Sequence, residues 1–319
     1  MPDLAVGFPL QDDFDNLQGR IIDRTVWSYQ EPNPKSKRAK LYWRDLVVPI
    51  TNTTIGDDEA AHNRVWYELE DGGYAYSGSI QPVRTLLNEA YAIPTKGALG
   101  EVSVPFTDAY LEADRNAELV YRLYYETVHW ITSAVKAADG STWYSLLDDK
   151  YEQYYFIPAR HMRLIPNEEL APLSPNVPPE QKRLEVRLDD QLLLAYENGQ
   201  TVFATRISTG GKRLSGKYTT PDGNFITYHK RPTRHMAAGD IASSGFDLPG
   251  VPWVSYITEG GISFHGTYWH NDYGRPRSHG CINMTPQAAK WLYRWTMPTV
   301  PPEKTLVYGR TGTRVEIKI

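Results

Sequence analysis

The sequence is poor in cysteine, since Cys281 is the only one among 319 residues. A single thiol excludes an intrachain disulfide and therefore a fold that depends on cross-links. The paired Cys-x-x-Cys and His-Glu-x-x-His spacings of common zinc sites are also missing. Zinc is therefore a weak alternative, although Cys281, His279 and His265 could together ligate one ion. We expect no metal and no cofactor.

Strong net charge and long apolar runs are missing as well. The net charge is -4 and the pI is near 6.1, so nothing global favours binding to nucleic acid or to an anionic membrane. No stretch approaches the ~20 apolar residues of a membrane-spanning helix. The first ten residues have no basic start and no long apolar run, so they do not resemble a signal peptide. We expect either a cytosolic protein or an exported one whose export segment is missing from this sequence.

Aromatic residues with a polar edge are plentiful, as are glycine and proline. The chain has 22 Tyr and nine Trp against eight Phe, with 24 Gly and 23 Pro. Such rings suit half-buried positions in β-sheets and grooves, while Gly and Pro favour turns. A mainly β protein is predicted, with about two to three domains at roughly 100–150 residues each.

Short β-like runs recur in the first half of the chain. The Trp-Tyr pair that begins at Trp66 returns at Trp143, which is 143 − 66 = 77 positions later. Gly19 and Gly100 are 100 − 19 = 81 positions apart. The pattern resembles the bacterial SH3-like modules of cell-wall enzymes, and the alternative is one irregular β-domain. We predict a leader and two small SH3-like β-barrel modules, at residues 1–18, 19–90 and 97–166.

Proline marks the boundary between the two halves of the chain. Repeated Pro without apolar periodicity predicts a stiff, extended linker over 167–181. Alternating residues from Lys182 onward predict a further β-domain over 182–319. Within it, 229–252 is rich in Pro, Gly and His and has little periodicity. We predict an irregular excursion there, which is a candidate lid.

A short helix is predicted directly after Cys281. Thr285 can cap its start and Pro286 fits the first helical position. Its core-facing residues recur at helical spacing and are Ala288, Trp291, Leu292 and Trp295.

The region around Cys281 combines a thiol with three of the eight histidines. An isolated cysteine is most often a small buried hydrophobe. A nearby imidazole, however, can take the proton of a thiol whose ordinary pKa is ~8.5. His265 ends a predicted strand, His279 could share a face with Cys281 in an extended segment, and His270 is expected to be solvated in the intervening loop. The pattern predicts a cysteine nucleophile for acyl transfer.

These motifs resemble a known signature. His-Gly-Thr at 265–267 and Ser-His-Gly-Cys-Ile-Asn-Met at 278–284 are similar to the signature of the L,D-transpeptidase catalytic domain, the YkuD family. The stretches at 207–210 and 220–225 resemble two further landmarks of that family. The resemblance covers about 183–319, which is less than half of the chain.

The resemblance implies a β-sandwich-like catalytic domain with its active site at the end of a narrow groove. Cys281 would be the nucleophile and His265 the base, its ring oriented partly through the carbonyl of Gly266. Backbone amides would stabilise the oxyanion of the tetrahedral intermediate. The residues that would shape the site and supply these amides are Ser278, His279, Gly280 and Cys281.

The implied reaction takes place on peptidoglycan. The thiol would attack the carbonyl of the third, L-centred residue of a tetrapeptide stem, release the terminal D-Ala, and pass the acyl group to an amine of a second stem as a 3→3 cross-link. Carbapenems acylate the cysteine in many members and are expected inhibitors. An extracytoplasmic location, in the periplasm or cell wall, is implied. Two alternatives stay open: an L,D-carboxypeptidase that uses water, and a non-catalytic wall-binding protein, against which the joint presence of His265 and Cys281 argues.

One position departs from the family pattern. Many members have Arg two residues after the cysteine, where this chain has Asn283, so the way in which the stem carboxylates are held is in question. Basic candidates, which could also form an ordinary solvated surface, are Lys212, Arg213, Lys217, Arg231 and Arg234. The predicted substrate-binding residues, for which strand or loop packing is the alternative, are Tyr256, Tyr268, Trp269 and Asn283.

Overall fold

The structure, a computed structural model, describes residues 14–212, 214–216, 218–239 and 245–319. Strands dominate it, and the prediction of a mainly β chain is confirmed. The described strands form four sheets, two with seven strands in the first half of the chain and two with five in the second. In these described ranges, no helix has the length and apolar character needed to cross a membrane.

The first sheet begins at the last residue of the predicted leader 1–18, of which residues 1–13 lie outside the described residues. Its strands are β1 (Gln18–Ile21), β2 (Thr25–Tyr29), β3 (Arg38–Trp43), β4 (Val47–Ile55), β5 (Val65–Leu69), β6 (Tyr74–Tyr76) and β7 (Ile80–Val83), with a 3-10 turn at Ser77–Ser79. Their order across the sheet is β3-β2-β6-β5-β4-β1-β7.

The second sheet has the same construction. Its strands are β8 (Ala98–Val102), β9 (Phe106–Tyr110), β10 (Leu119–Tyr124), β11 (Val128–Lys136), β12 (Thr142–Leu147), β13 (Tyr154–Pro158) and β14 (Met162–Leu164), with a 3-10 turn at Ala159–His161. Their order is β10-β9-β13-β12-β11-β8-β14, which is the order of the first sheet with every strand number raised by seven.

Local geometry also repeats between these sheets. The turn from β3 to β4 has Asp45 at a φ of 65°, and the turn from β10 to β11 has Glu126 at 62°. Tyr29 meets Trp66 edge to face at 5.8 Å, and Tyr110 meets Trp143 in the same way at 6.0 Å. Among the strand pairings described, none joins the outermost strands of either sheet. The SH3-like barrels and their boundaries therefore stay predictions.

The segment 167–181 differs from the extended linker that its prolines predict. It contains 3-10 turns at Asn167–Leu170 and Pro179–Gln181. The backbone amide of Leu173 donates to the carbonyl of Arg294 at 3.1 Å, and the Lys182 ammonium donates to the carbonyl of Leu173 at 3.0 Å. The segment is therefore attached to the C-terminal half of the chain.

Two five-stranded sheets form the C-terminal half. The first consists, in order across the sheet, of β17 (Gln200–Arg206), β16 (Leu192–Glu197), β15 (Lys182–Arg187), β24 (Arg314–Lys318) and β18 (Gly223–Ile226). The second consists of β22 (Ile282–Met284), β21 (Ser263–Gly266), β20 (Phe246–Tyr256), β19 (His229–Ala238) and β23 (Val307–Tyr308).

The helix α1 (Pro286–Trp295) packs its apolar face into the core of this half. The side chain of Thr285 accepts a hydrogen bond from the amide of Ala288 at 3.2 Å, which satisfies one of the open donors at the helix start. Trp295 is fully buried, and Trp291 stacks on Phe203 with a centroid distance of 4.1 Å. The predicted helix, its cap and its core-facing side are confirmed.

The prediction of an irregular excursion over 229–252 is wrong for the part that the structure describes, because most of it belongs to the long paired strands β19 and β20. Residues 240–244 lie outside the described residues. Two physical features hide the two-residue alternation of a strand. Gly250 and Trp253 have positive φ values of 69° and 62°, and the register shifts between Arg234 and Met236. The segment is therefore a twisted hairpin.

The second sheet supports this hairpin through charged contacts. The Asp149 carboxylate accepts hydrogen bonds from Arg231 at 2.9 Å and from Arg234 at 2.6 Å. The buried Asp148 carboxylate lies 2.5 Å from Nδ1 of His235. Carboxylates beside the second sheet therefore contact the C-terminal half of the chain.

The first sheet is linked to the same half through Arg20, which is 2% exposed. Its guanidinium donates to the Gln81 side chain at 2.7 and 2.9 Å, to the Asp45 carboxylate at 2.9 Å and to the carbonyl of Tyr268 at 2.6 Å. The same group lies 4.1 Å from the centroid of the Tyr124 ring. One buried cation therefore joins both N-terminal sheets to the C-terminal half.

We expect Arg20→Met to lower the free energy of unfolding by about 3 kcal/mol, because it leaves a carboxylate and a carbonyl without their buried donor. Urea unfolding followed by tryptophan fluorescence measures this change. The control is Arg38→Met, which removes an exposed guanidinium near Trp27 and should change the free energy by about 0.5 kcal/mol or less. Equal losses in the two variants would contradict the structural role of Arg20.

Candidate active site

The parallel pairing of β21 with β22 places Cys281 near His265. The register aligns Phe264 with Ile282 and His265 with Asn283, so Cys281, just before β22, lies opposite Ser263. Because alternate residues of a strand share a face, Ser263 and His265 project to the same side as the thiol. The hydroxyl of Ser263 lies 3.7 Å from Sγ of Cys281.

The imidazole of His265 is buried, with 2% of the residue exposed. Its Nδ1 lies 2.9 Å from the carbonyl oxygen of Gly266. A carbonyl can only accept, so Nδ1 carries the proton and Nε2 is left as the nitrogen that can take a proton. The structure therefore shows the ring orientation that the family resemblance implies.

Opposing effects set the acidity of the Cys281 thiol. Burial raises its pKa, but the hydrogen bond and charge of His265, together with hydrogen bonds from Ser263, lower it by more. The net result is a pKa below the ordinary value of a cysteine. More of the thiol is therefore present as the nucleophilic thiolate at neutral pH.

The turn that leads into Cys281 is tied to two other motif stretches. Ser278 Oγ donates to the carbonyl of Cys281 at 2.5 Å and accepts from the amide of Gly280 at 3.0 Å. Thr220 Oγ1 donates to the carbonyl of Gly280 at 2.7 Å and accepts from the amide of Gly210 at 2.8 Å. The predicted landmark stretches therefore meet at the turn before Cys281, and one amide of the predicted oxyanion hole, that of Gly280, is bonded within that turn.

Gly280 is required by this geometry. Its φ of 149° is one that side-chain-bearing residues rarely adopt, and an added Cβ would lie 2.6 Å from the side chain of Ile262. A larger residue here would displace the turn that precedes the thiol.

A cavity of about 460 Å³ opens at the thiol. The hairpin contributes Met236, Phe246 and Leu248 to its wall, and most of the other lining residues belong to the motif stretches. These lining motif residues include His265, Trp269, Ser278, His279, Gly280, Cys281 and Asn283. The cavity therefore combines apolar side chains from the hairpin with the thiol, imidazole and polar side chains of the motif stretches.

The structure separates the predicted substrate-binding residues. Trp269 lines the cavity, and its ring centroid lies 5.7 Å from that of His265. The ring centroid of His279, an exposed residue that also lines the cavity, lies 5.8 Å from that of Phe246. Tyr256 lies beside the site, stacked on His229 at 4.7 Å. Its pKa is raised, first by burial and also by the nearby negative charge of Cys281, although Arg234 and Arg231 act against this.

Tyr268, also predicted to bind substrate, is packed away from the cavity. The residue is 3% exposed, its ring stacks on Tyr124 at 5.5 Å, and its hydroxyl donates to the carbonyl of Pro249 at 3.0 Å. The packing alternative holds for this residue, because its side chain is enclosed by the second sheet and the hairpin.

His270 corrects a further expectation. It is 4% exposed, so it is not solvated. Its Nδ1 lies 3.4 Å from the amide of Asp272 and its Nε2 lies 3.0 Å from the side-chain amide of Asn283. Burial lowers the pKa of His270 to about 3, so its ring is neutral at working pH. His270 therefore connects the loop before Cys281 to the strand after it.

The basic candidates for holding carboxylates are mostly paired in this structure. Lys212 lies 3.1 Å from the Asp189 carboxylate, and Arg231 and Arg234 contact Asp149. Arg213 and Lys217 lie outside the described residues. Arg277 lines the cavity and lies 3.7 Å from the Asp272 carboxylate.

No pattern in the sequence indicates Asp272, a carboxylate that is 2% exposed in the loop between His265 and Cys281. It lies 2.6 Å from Nε2 of His62 and accepts a hydrogen bond from Tyr76 at 2.8 Å. These partners are 210 and 196 positions away in the chain, so no local pattern could have revealed the contact.

The site has the parts of a cysteine-dependent acyl-transfer enzyme: a thiol of lowered pKa, an oriented imidazole and a cavity at the sulfur. In the part of the chain that the structure describes, no group of three or more His, Cys, Asp or Glu side chains could hold a metal ion. Residues 181–317 match the family model of the L,D-transpeptidase catalytic domain, YkuD. This segment is therefore an L,D-transpeptidase catalytic domain.

Similar proteins carry the same description. The Bacillus subtilis protein "Putative L,D-transpeptidase YciB" is 27% identical over 129 residues, which are 37% of this chain and 63% of that protein, so the match spans less than two thirds of the relative. An L,D-transpeptidase from Mycobacterium smegmatis is 22% identical over 44% of this chain and 59% of that chain, with a TM-score of 0.35. The catalytic domain of an E. faecium L,D-transpeptidase, solved acylated by ertapenem, is 26% identical over 40% of this chain and 96% of that chain, with a TM-score of 0.30.

The lowered pKa of the thiol gives a direct test. Alkylation of Cys281 by iodoacetamide should reach half of its maximal rate below pH ~8.5, the ordinary value for cysteine. In His265→Gln the midpoint should lie above that value. Burial then still raises the pKa of the thiol, whereas the hydrogen bond and charge of His265 no longer lower it. Mass spectrometry measures the rate at each pH, and Cys281 is the only thiol in the sequence.

The matched control is His161→Gln, which changes a histidine of the second sheet that contacts Thr107. This variant should keep the native midpoint. An alkylation midpoint that is unchanged in His265→Gln would contradict the interaction between His265 and the thiol.

Proposed function

We propose that the protein is a peptidoglycan L,D-transpeptidase that works through an acyl-enzyme on Cys281. The observation that supports this proposal most is the pair formed by a thiol of lowered pKa and an imidazole whose Nε2 is left to accept a proton. The family match over 181–317 supports peptidoglycan as the proposed substrate class.

The reaction follows from these two groups. Sγ of Cys281 attacks the carbonyl carbon of the third residue of a donor stem, and the thiol proton passes to Nε2 of His265. The tetrahedral intermediate then collapses, and the amine of the leaving D-Ala takes the proton from His265. An amine of the acceptor stem attacks the thioester and returns a proton to His265, which restores the thiol as the 3→3 bond forms.

The cavity is suited to a peptide stem. Its apolar wall from Met236, Phe246 and Leu248 can cover aliphatic parts of the stem, and Trp269 adds an aromatic face beside His265. Asn283 also lines the cavity, and its Oδ1 is buried and has no hydrogen-bond partner among the described residues. We propose that Asn283 contacts the stem there and that Arg277 attracts its carboxylate.

The same proposal places the protein outside the cytoplasm, in the periplasm or cell wall, because its substrate is there. Its partners would be the donor and acceptor stems of peptidoglycan. Its role would be in the building of the wall, through cross-links that contribute to cell-wall organisation and cell shape.

Product analysis tests the reaction. The full chain incubated with a disaccharide-tetrapeptide should give a cross-linked dimer that has lost one D-Ala, and mass spectrometry with fragmentation identifies the 3→3 bond. Cys281→Ala should give no product, because the acyl-enzyme cannot form. Tripeptide without dimer would show that water is the acceptor and the enzyme is an L,D-carboxypeptidase. Absence of any product from the native chain would support the non-catalytic alternative.

Trapping by a carbapenem tests the nucleophile separately from the natural substrate. Ertapenem should add its whole mass to the native chain, because the thiolate opens the β-lactam ring without a leaving group. The adduct should map to Cys281, should not form on Cys281→Ala, and should form more than about tenfold more slowly on His265→Gln, because general-base assistance typically contributes at least that much. An adduct of the same yield on Cys281→Ala would place the reactive group elsewhere.

A further inference from the structure

The loop that connects His265 to Cys281 is bound along its length by the first N-terminal sheet. Arg20 donates to the carbonyl of Tyr268 at 2.6 Å. The side-chain amide of Asn271 donates to the carbonyls of Ser77 at 3.2 Å and Ile80 at 3.0 Å. Successive points of the loop are therefore fixed by a part of the chain that the family match does not include.

Asp272 is the most buried charged point of this contact. His62 and Tyr76 approach the same carboxylate oxygen, at 2.6 and 2.8 Å, and their own side chains lie 3.2 Å apart. Burial raises the pKa of Asp272, but the bonds from His62 and Tyr76 and the charge of Arg275 lower it by more, so the carboxylate is ionised. A buried anion needs such donors, and the first sheet supplies two of them.

The backbone of the first sheet is shaped for this approach. The amide of Asn271 donates to the carbonyl of Gly78 at 3.3 Å. A Cβ at Gly78 would lie 2.8 Å from the carboxylate oxygen of Asp272. The 3-10 turn after β6 therefore presents a residue without a side chain where the loop comes closest.

Buried polar groups continue from Asp272 to the reacting strands. The Asp272 amide lies 3.4 Å from Nδ1 of His270, and Nε2 of His270 lies 3.0 Å from the side chain of Asn283. Asn283 is aligned with His265 across the strand pair and exchanges two backbone hydrogen bonds of 2.9 Å with Ser208. The position of Asp272 is therefore transmitted to β22, the strand that directly follows Cys281 and pairs with the strand of His265.

We propose that His62 and Tyr76 are positioning residues of the active site, which hold Asp272 and thereby fix the loop between His265 and Cys281. They touch neither the thiol nor the cavity that opens at it. The proposal rests on the proposed function only in taking Cys281 as the nucleophile. Through Asp272, His270 and Asn283, the first sheet contributes to the spacing between the thiol and its base.

The test compares two tyrosines of the first sheet that each donate to a carboxylate. Tyr76→Phe removes the hydroxyl on Asp272, and the control Tyr42→Phe removes the hydroxyl on Asp71 within the same sheet. In Tyr76→Phe we expect iodoacetamide alkylation of Cys281 at pH 7 to be about threefold to tenfold slower, with its pH midpoint displaced upward by about half a unit to one unit. Tyr42→Phe should keep the native rate and midpoint, whatever stability it loses.

His62 provides the rescue experiment. His62→Ala should slow alkylation as Tyr76→Phe does, whereas His62→Gln, whose amide can still donate to Asp272, should restore most of the rate. Thermal melts of all variants show whether stability follows the same order. Native alkylation profiles in Tyr76→Phe and His62→Ala, or identical changes in Tyr42→Phe, would overturn the proposal. Alkylation needs no wall substrate, so an error in the proposed reaction would leave these outcomes unchanged.

Discussion

The parallel pairing of β21 with β22 is the constraint on which the rest of the C-terminal half depends. It places Cys281 and His265 on one face of a sheet, close enough for the imidazole to act on the thiol. Parallel strands cannot be joined by a tight turn, so the chain must leave the sheet and return through a long connection. That connection carries polar backbone and side-chain groups, all of which need partners when they are buried.

The two N-terminal sheets contact different parts of the surroundings of the site. The first binds the connection itself through Arg20, His62 and Tyr76. The second binds the hairpin that forms the apolar wall of the cavity, through Asp148 and Asp149. The reactive groups lie in one domain, but the surfaces that fix their surroundings come from the whole chain.

How much of this could be predicted from the sequence depended on the range of the interactions. The helix after Cys281 was predictable, because its cap and its apolar spacing are local. The base and the nucleophile could be proposed, because their motifs are short and distinctive. The twisted hairpin was not predictable, because positive φ values at Gly250 and Trp253 remove the alternation by which a strand is recognised. The sequence predicts a solvated His270, because nothing in its sequence neighbours shows that distant parts of the chain cover it.

The repeated strand order of the N-terminal sheets allows residues at corresponding positions to be compared. Trp66 and Trp143 occupy corresponding strands, and their register partners are Tyr76 and Pro158. The tyrosine contacts a carboxylate of the catalytic domain, while proline at the other position has no hydroxyl with which to do so. The shared strand order is compatible with either residue, so the surface that each sheet meets determines which of the two can form a contact. Replacing the sequence of one sheet by that of the other would then preserve the strand order and still remove the contact with Asp272.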